Sequence, residues 1–260
     1  MWTLNPEETE TIVRKALDLG FTFFDTANTY SHGTSEEYLG RAIKNSVSRD
    51  KVILATKVYF NEGHLSKKAI QREIDGSLKR LNTDYVDLYI IHRFDRTTPI
   101  EETMEALDGL VKCGKVRALG ASAMYGYQFY SMQVAAERNG WTKFCSMQNH
   151  YNLLYREDER EIIPLCKQEG VALTPFSPLA AGRLARVEWK SDSPRSQMDR
   201  TASQKYDGTQ ETDYEIVRRV HETAEKHGAT MTQVAIAWHM AKGMTAPIIG
   251  ATKAKYLEDA

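Results

Sequence analysis

Val86-Asp87-Leu88-Tyr89-Ile90-Ile91-His92 is a brief apolar run that stops at a polar group. Val52-Ile53-Leu54-Ala55-Thr56-Lys57 has the same form and stops at lysine, and Phe21 to Asp25 stops at aspartate. Near-continuous apolar strands are buried on both faces, which is the signature of a parallel sheet. In such a sheet the carboxyl ends of the strands carry the chemistry, and that is where Asp25, Lys57 and His92 fall.

Strand and helix patterns alternate along the chain. Asn5 is a helix N-cap, with Pro6 in the first position and Glu7 and Glu8 in the first turn; the helix it opens ends at Gly20. Helices are then predicted over 35–46, 66–81, 99–113, 127–139, 158–169, 214–227 and 232–242, and another starts at Lys253. Between them lie strands at 21–25, 52–57, 86–92, 116–122, 144–149, 171–177 and 246–250. Repeated strand–helix units imply right-handed parallel crossovers, and this many favour a closed barrel over an open sheet. The expected fold class is therefore α/β, a (β/α)8 TIM barrel, here truncated because only seven strands are recognised where eight are needed. One domain is expected over residues 1–260. The polar stretch 184–212 is read within it as a long lid-like loop. No strand is followed by a glycine-rich phosphate loop.

Composition narrows the function. Lys plus Arg number 34 and Asp plus Glu 35 in 260 residues, for a formal net charge of −1. That balance argues against nucleic acid or an anionic membrane as partner. No apolar run approaches the ~18 residues of a membrane span. The first residues do not read as a secretory signal, so a cytoplasmic location is expected. Cys113, Cys145 and Cys166 form no metal pattern and are expected to be buried or half-buried free thiols, and no metal is expected.

If Asp25, Lys57 and His92 cap successive strands, with Tyr30 in the loop after the first, all four converge on one mouth. A carbonyl being reduced needs a hydride at carbon and a proton at oxygen. A tyrosine hydroxyl, with an ordinary pKa of about 10, is a reluctant acid. A neighbouring ammonium favours phenolate and makes the proton easier to give. Lys57 suits that part, Asp25 can hold it charged, and His92 can orient the carbonyl. The hydride itself requires a cofactor.

Gly20-Phe21-Thr22-Phe23-Phe24-Asp25-Thr26-Ala27-Asn28-Thr29-Tyr30, with Ser35-Glu36-Glu37-Tyr38-Leu39-Gly40 behind it, resembles the aldo-keto reductase signature. The resemblance continues through Leu119-Gly120-Ala121-Ser122, Gln148-Asn149-His150-Tyr151-Asn152, Pro175-Phe176-Ser177-Pro178-Leu179, Gly182 and Ile248 to Lys253. It looks closest to the fungal and bacterial branch acting on aromatic and aliphatic aldehydes. The resemblance implies an NADPH-dependent (β/α)8 enzyme that reduces aryl or apolar aldehydes or ketones. Tyr30 would be the acid, Lys57 and Asp25 its tuning pair, and His92 the substrate-orienting residue. Ser122 and Gln148 would hold the nicotinamide carboxamide, and Phe176 would stack on its ring. Ser177, Leu179 and Gly182 would border the pyrophosphate, and Gly250, Thr252 and Lys253 would meet the adenosine phosphate. Ala123 stands where many relatives have asparagine. The family's N-terminal hairpin, first strand and C-terminal tail have no counterpart, so a shortened reductase is expected, oligomeric if its barrel is incomplete. Other readings stay open: a nicotinamide-binding regulatory module resembling potassium-channel β subunits, an inactive truncated reductase, or a Schiff-base aldolase using Lys57. Aromatic candidates near the mouth are Tyr59, Phe60, Phe94 and Tyr125, while Arg93 and Asp95 are read as structural or rim residues.

Overall fold

The computed structural model describes residues 3–188 and 200–260. They fall into two compact units: Leu4–Gln148 with Glu161–Ala172, and Thr3 and Asn149–Arg160 with the described residues from Leu173 onward.

The first unit opens with α1 (Pro6–Asp18). Asn5 accepts from the Glu8 amide at 2.8 Å, and the Glu8 carboxylate accepts from the Asn5 amide at 2.9 Å. This reciprocal capping box satisfies two otherwise orphaned donors. Strands and helices then alternate: β1 (Phe23–Asp25), α2 (Thr34–Ser46), β2 (Ile53–Val58), α3 (Lys67–Leu81), β3 (Val86–Ile91), α4 (Ile100–Lys112), β4 (Val116–Ser122), α5 (Gly126–Asn139), β5 (Phe144–Gln148), α6 (Ile162–Gln168) and β6 (Ala172–Leu173). The sheet order is β1-β2-β3-β4-β5-β6, and every pair from β1 to β5 is parallel. Parallel strands in chain order, each followed by a helix, are the pattern of a truncated (β/α) barrel. Leu54, Tyr89, Ile90 and Ile91 are fully buried, each worth roughly 1.5–3 kcal/mol over leaving it exposed.

Gly40 shows how tightly α2 lies on the end of α3. A Cβ there would stand 2.4 Å from the Leu81 carbonyl oxygen. Backbone cannot yield as a flexible side chain can, so Gly40→Ala is expected to cost about 1–3 kcal/mol. Chemical denaturation reads this directly: a midpoint shifted down at constant slope is expected, and an unchanged midpoint would show that the helices separate freely.

The second unit holds α7 (Arg200–Tyr206), α8 (Gln210–His227), α9 (Met231–Ala241) and α10 (Ala254–Asp259). Ala180, Leu184, Tyr206, Val217, Val220, Ala224, Met231 and Ala235 form its core.

Four expectations change. The sixth strand, expected over 171–177, spans only Ala172–Leu173. Pro175 has no N–H to donate, and the chain beyond it pairs elsewhere, with the Phe176 amide donating to the Asn149 carbonyl at 2.9 Å. The seventh, expected over 246–250, pairs through a single parallel bridge, Phe176 to Ile248, because Pro247 interrupts the donors. The helix expected from Asp158 begins at Ile162, since Pro164 is tolerated only in a first turn. Of the stretch read as a loop over 184–212, residues 189–199 lie outside the described residues. Residues 200–206 are helical, and α8 starts at Gln210 rather than Tyr214. Leu184 at its start and Tyr206 further on anchor that stretch in the core. Tyr206 is 2% exposed, and its hydroxyl accepts from Asn152 Nδ2 at 3.0 Å. Anchors so far apart leave no periodic pattern to read.

The three cysteines are free, but Cys113 and Cys145 are exposed and only Cys166 is buried.

Candidate active site

Backbone pairing brings the strand ends together. Asp25 closes β1 opposite Ala55, Lys57 sits opposite Ile90 near the end of β2, and the His92 amide continues the ladder past β3 by donating to the Val58 carbonyl at 2.9 Å. Tyr30 arrives differently. The chain leaving β1 stays on the sheet edge, with the Thr26 amide on the Ala55 carbonyl at 3.0 Å and the Asn28 amide on the Lys57 carbonyl at 3.4 Å. It then turns sharply through Ser31, His32 and Gly33, whose φ angles are 48°, 55° and 95°. Two non-glycine residues held left-handed are strained, each costing on the order of 1 kcal/mol. The turn is pinned from below, because Asn28 donates to Glu73 Oε2 at 2.9 Å and Thr26 Oγ1 lies 2.9 Å from Ser35 Oγ. Burial works against the charge on Glu73, but hydrogen bonds from Arg72, Asn61 and Asn28 outweigh it and hold the carboxyl below its ordinary range.

At the centre is a buried ammonium. Lys57 is fully buried, and its Nζ donates to Asp25 Oδ2 at 2.5 Å and to the Thr26 carbonyl at 2.8 Å. The second Asp25 oxygen accepts from Gln148 Nε2 at 2.8 Å, so the carboxylate cannot rotate away. Lys57 Nζ lies 5.0 Å from the centroid of the Tyr30 ring. That ring meets His92 edge-on at 5.7 Å, and Phe60 meets the same imidazole edge-on at 4.9 Å. Tyr30 is 40% exposed, so this end of the cluster faces solvent.

His92 is buried, and its Nδ1 has no hydrogen-bond partner. Burial first, then the Lys57 and Arg93 cations, press its pKa down to about 3. The imidazole is therefore neutral at working pH and can donate an N–H without repelling Lys57. His239, in the second unit, is pushed by burial to about 4. These shifts carry a sign. An exposed histidine titrates near 6.5, so between pH 6.5 and these folded values the unfolded chain binds the protons first. Stability present above pH 6.5 is then lost as pH falls, by about 2 kcal/mol per histidine at pH 5. The depressed carboxyls Asp95 and Glu159, both near 2, lose their contributions only at lower pH. Urea melts at pH 7 and pH 5 should thus differ, and His92→Asn should remove about half the difference. Equal midpoints at the two pH values would contradict the neutral, buried assignment.

The residues expected to hold a cofactor divide between the units. In the first, Ser122 closes β4 and donates to the Gln148 carbonyl at 2.8 Å, and Gln148 closes β5. Both side chains are buried, and Gln148 touches the Asp25 carboxylate. Ala123 beside them is left-handed, with φ 44°. In the second unit, Phe176 stacks on His150 at 5.1 Å and 9°, with Lys205 Nζ 4.5 Å from its centroid. Ser177 has φ 57°, and its carbonyl accepts from Asn152 Nδ2 at 3.0 Å. The Gly182 amide donates to the Leu179 carbonyl at 2.8 Å within a turn where Ala180, Ala181 and Gly182 are all left-handed. Space beside Gly182 is open. Gly250, Thr252 and Lys253 are exposed, and Lys253 precedes α10 directly.

Sequence reasoning missed the support from Asn28 and Glu73, which are 45 residues apart and share no local pattern. Arg93, read as a structural or rim residue, has its guanidinium 5.7 Å over the Phe60 ring that packs on His92. Adjacency to His92 was the available signal. Asp95 is structural, as expected, accepting from the Leu65 and Thr97 amides and both threonine hydroxyls at 97 and 98. Among the described residues no group of acidic, histidine or cysteine side chains could hold a metal ion, and no helix is long and apolar enough to cross a membrane.

Comparison with known proteins places these features in context. The family model described as the Aldo/keto reductase family matches residues 1–260. An aldo-keto reductase of Fusarium vanettenii is 45% identical, with 100% of this chain and 78% of that protein covered. The versiconal hemiacetal acetate reductase of Aspergillus parasiticus is 42% identical, covering 100% and 82%. A Schizosaccharomyces pombe protein named as an aryl-alcohol dehydrogenase is 40% identical, covering 100% and 81%.

Proposed function

Because the chain belongs to the aldo/keto reductase family, an oxidoreductase family acting on small carbonyl compounds, we propose that it reduces aryl or apolar aldehydes or ketones to alcohols with NADPH. The observation that carries this reading is the Lys57 ammonium, fully buried, 2.5 Å from Asp25 and 5.0 Å from the Tyr30 ring. A buried ion pair gives little net stability over well-packed apolar residues, so stability alone is a weak reason to keep one. Beside a half-exposed phenol it has a chemical use. The ammonium favours the phenolate that remains when Tyr30 gives its proton to the carbonyl oxygen. Asp25 keeps Lys57 charged, Gln148 keeps Asp25 in place, and neutral His92 donates to the same oxygen and fixes its approach.

The nicotinamide, when bound, supplies the hydride. Ser122 and Gln148 are proposed to hold its carboxamide and Phe176 to stack on its ring, which requires Lys205 to move off the Phe176 face. Ser177, Leu179 and Gly182 are proposed to border the pyrophosphate, with open space beside Gly182 to admit it. Gly250, Thr252 and Lys253 would take the adenosine phosphate, where an exposed cation suits the 2′-phosphate of NADPH better than the bare ribose of NADH. The relatives named as an aryl-alcohol dehydrogenase and a hemiacetal acetate reductase support a carbonyl substrate. The half-exposed Phe60 ring beside His92 supports an aryl or apolar one. Mixing the protein with NADPH and benzaldehyde is the direct assay. Falling absorbance at 340 nm is expected, and tight NADPH binding with no turnover would favour a binding module instead.

A further inference from the structure

We infer that Arg93 selects among carbonyl substrates at this site, favouring aryl carbonyl compounds that carry a negative charge. The inference rests on the proposed function and names the substrate class more closely. Arg93 follows His92 directly, and its NH1 donates to the His92 carbonyl at 2.6 Å. That bond holds the guanidinium on the rim of the site, 5.7 Å over the Phe60 ring, which itself packs on His92. The charge is felt in the site: Arg93 is among the cations that hold His92 neutral.

What distinguishes Arg93 is the lack of a counter-charge. Among the described residues the other partly buried arginines are paired: Arg49 with Asp87 at 2.6 Å, Arg80 with the fully buried Glu36 at 2.6 Å, Arg183 with Asp207, and Arg218 with Glu215 and Glu222. Among the described residues no carboxylate pairs with Arg93. Asp95, two positions on, is spent on the Leu65 amide and on Thr97 and Thr98. Asp25 is spent on Lys57 and Gln148. Desolvation weighs on the guanidinium and lowers its pKa, so its charge is held at a cost that an anion can offset. A guanidinium accepts a carboxylate through two parallel hydrogen bonds, and partial burial strengthens the attraction. Phe60 and Tyr30, 50% and 40% exposed, both meet His92 edge-on and leave aromatic surface for an aryl body beside the proton donor. No substrate bond is made or broken by Arg93. Its part is to bind.

The test compares two aldehydes of one shape, 4-carboxybenzaldehyde and its neutral carboxamide, with the parent, Arg93→Leu and Arg93→Lys. The parent should show a kcat/KM about tenfold or more higher for the carboxylate. In Arg93→Leu the ratio should collapse toward one, mainly through KM, and Arg93→Lys should restore part of it. Calorimetry of benzoate against benzamide gives a readout free of turnover, with benzoate expected to bind the parent about tenfold tighter and Arg93→Leu no tighter than the amide. Reduction of both aldehydes with the same ratio in parent and Arg93→Leu overturns the inference and leaves the reductase reading standing. Arg93-dependent benzoate binding without reduction of either aldehyde upholds the anion selectivity and defeats the reductase reading.

Discussion

Tyr30→Phe is expected to lower kcat for aldehyde reduction by about 100- to 10,000-fold, the contribution of a positioned general acid. The substitution removes one oxygen and keeps the ring, so the edge-on packing against His92 at 5.7 Å survives. Tyr30 is 40% exposed and supports no core, so folding should be unaffected and the loss should be chemical. Its size should also depend on substrate. A carbonyl whose alkoxide is already stabilised needs the proton less, and the variant should lose least on it. Stopped-flow measurement of NADPH oxidation under single-turnover conditions isolates the step. A variant as fast as the parent would mean that water or His92 supplies the proton.

The second large effect concerns Lys57. Lys57→Met leaves the Asp25 carboxylate, 8% exposed, with its principal cation gone. Breaking one half of a buried pair costs about 3–5 kcal/mol, and the same change removes the ammonium that favours the Tyr30 phenolate. Both stability and rate should therefore fall, the rate by about a hundredfold or more. The double variant Lys57→Met with Asp25→Asn separates the two. Removing both charges should return most of the stability, since no uncompensated ion remains, yet the rate should stay low. Recovery of both together would show that Lys57 acts on the fold alone.

These expectations draw on features that differ in how plainly the chain displays them. Asp25, Lys57 and His92 were legible because each ends an apolar run, and parallel register does the rest: Asp25 faces Ala55, and Lys57 faces Ile90. The buried faces of β2 and β3 are visible for the same reason. The shortened sixth strand and the single bridge at Ile248 were also written in the sequence, as Pro175 and Pro247, but an apolar run around a proline still reads as a strand until its donors are counted. The early start of α8 had no such mark, because polar residues from 200 to 213 hide one anchoring tyrosine. Pairings across long separations were illegible altogether. Gln148 reaches Asp25 across 123 positions, and Asn28 reaches Glu73 across 45. The lack of a carboxylate beside Arg93 among the described residues was equally illegible, since only three dimensions disclose a missing partner.

The central proposal is that hydride and proton reach one carbonyl beside Tyr30. Its most direct test uses NADPH deuterated at both C4 positions with benzaldehyde, followed by mass spectrometry of the alcohol. One deuterium per product molecule is expected, formed by the parent at a rate that Tyr30→Phe reduces at least a hundredfold. Benzyl alcohol without deuterium, or transfer no faster with the protein than without it, would contradict the account.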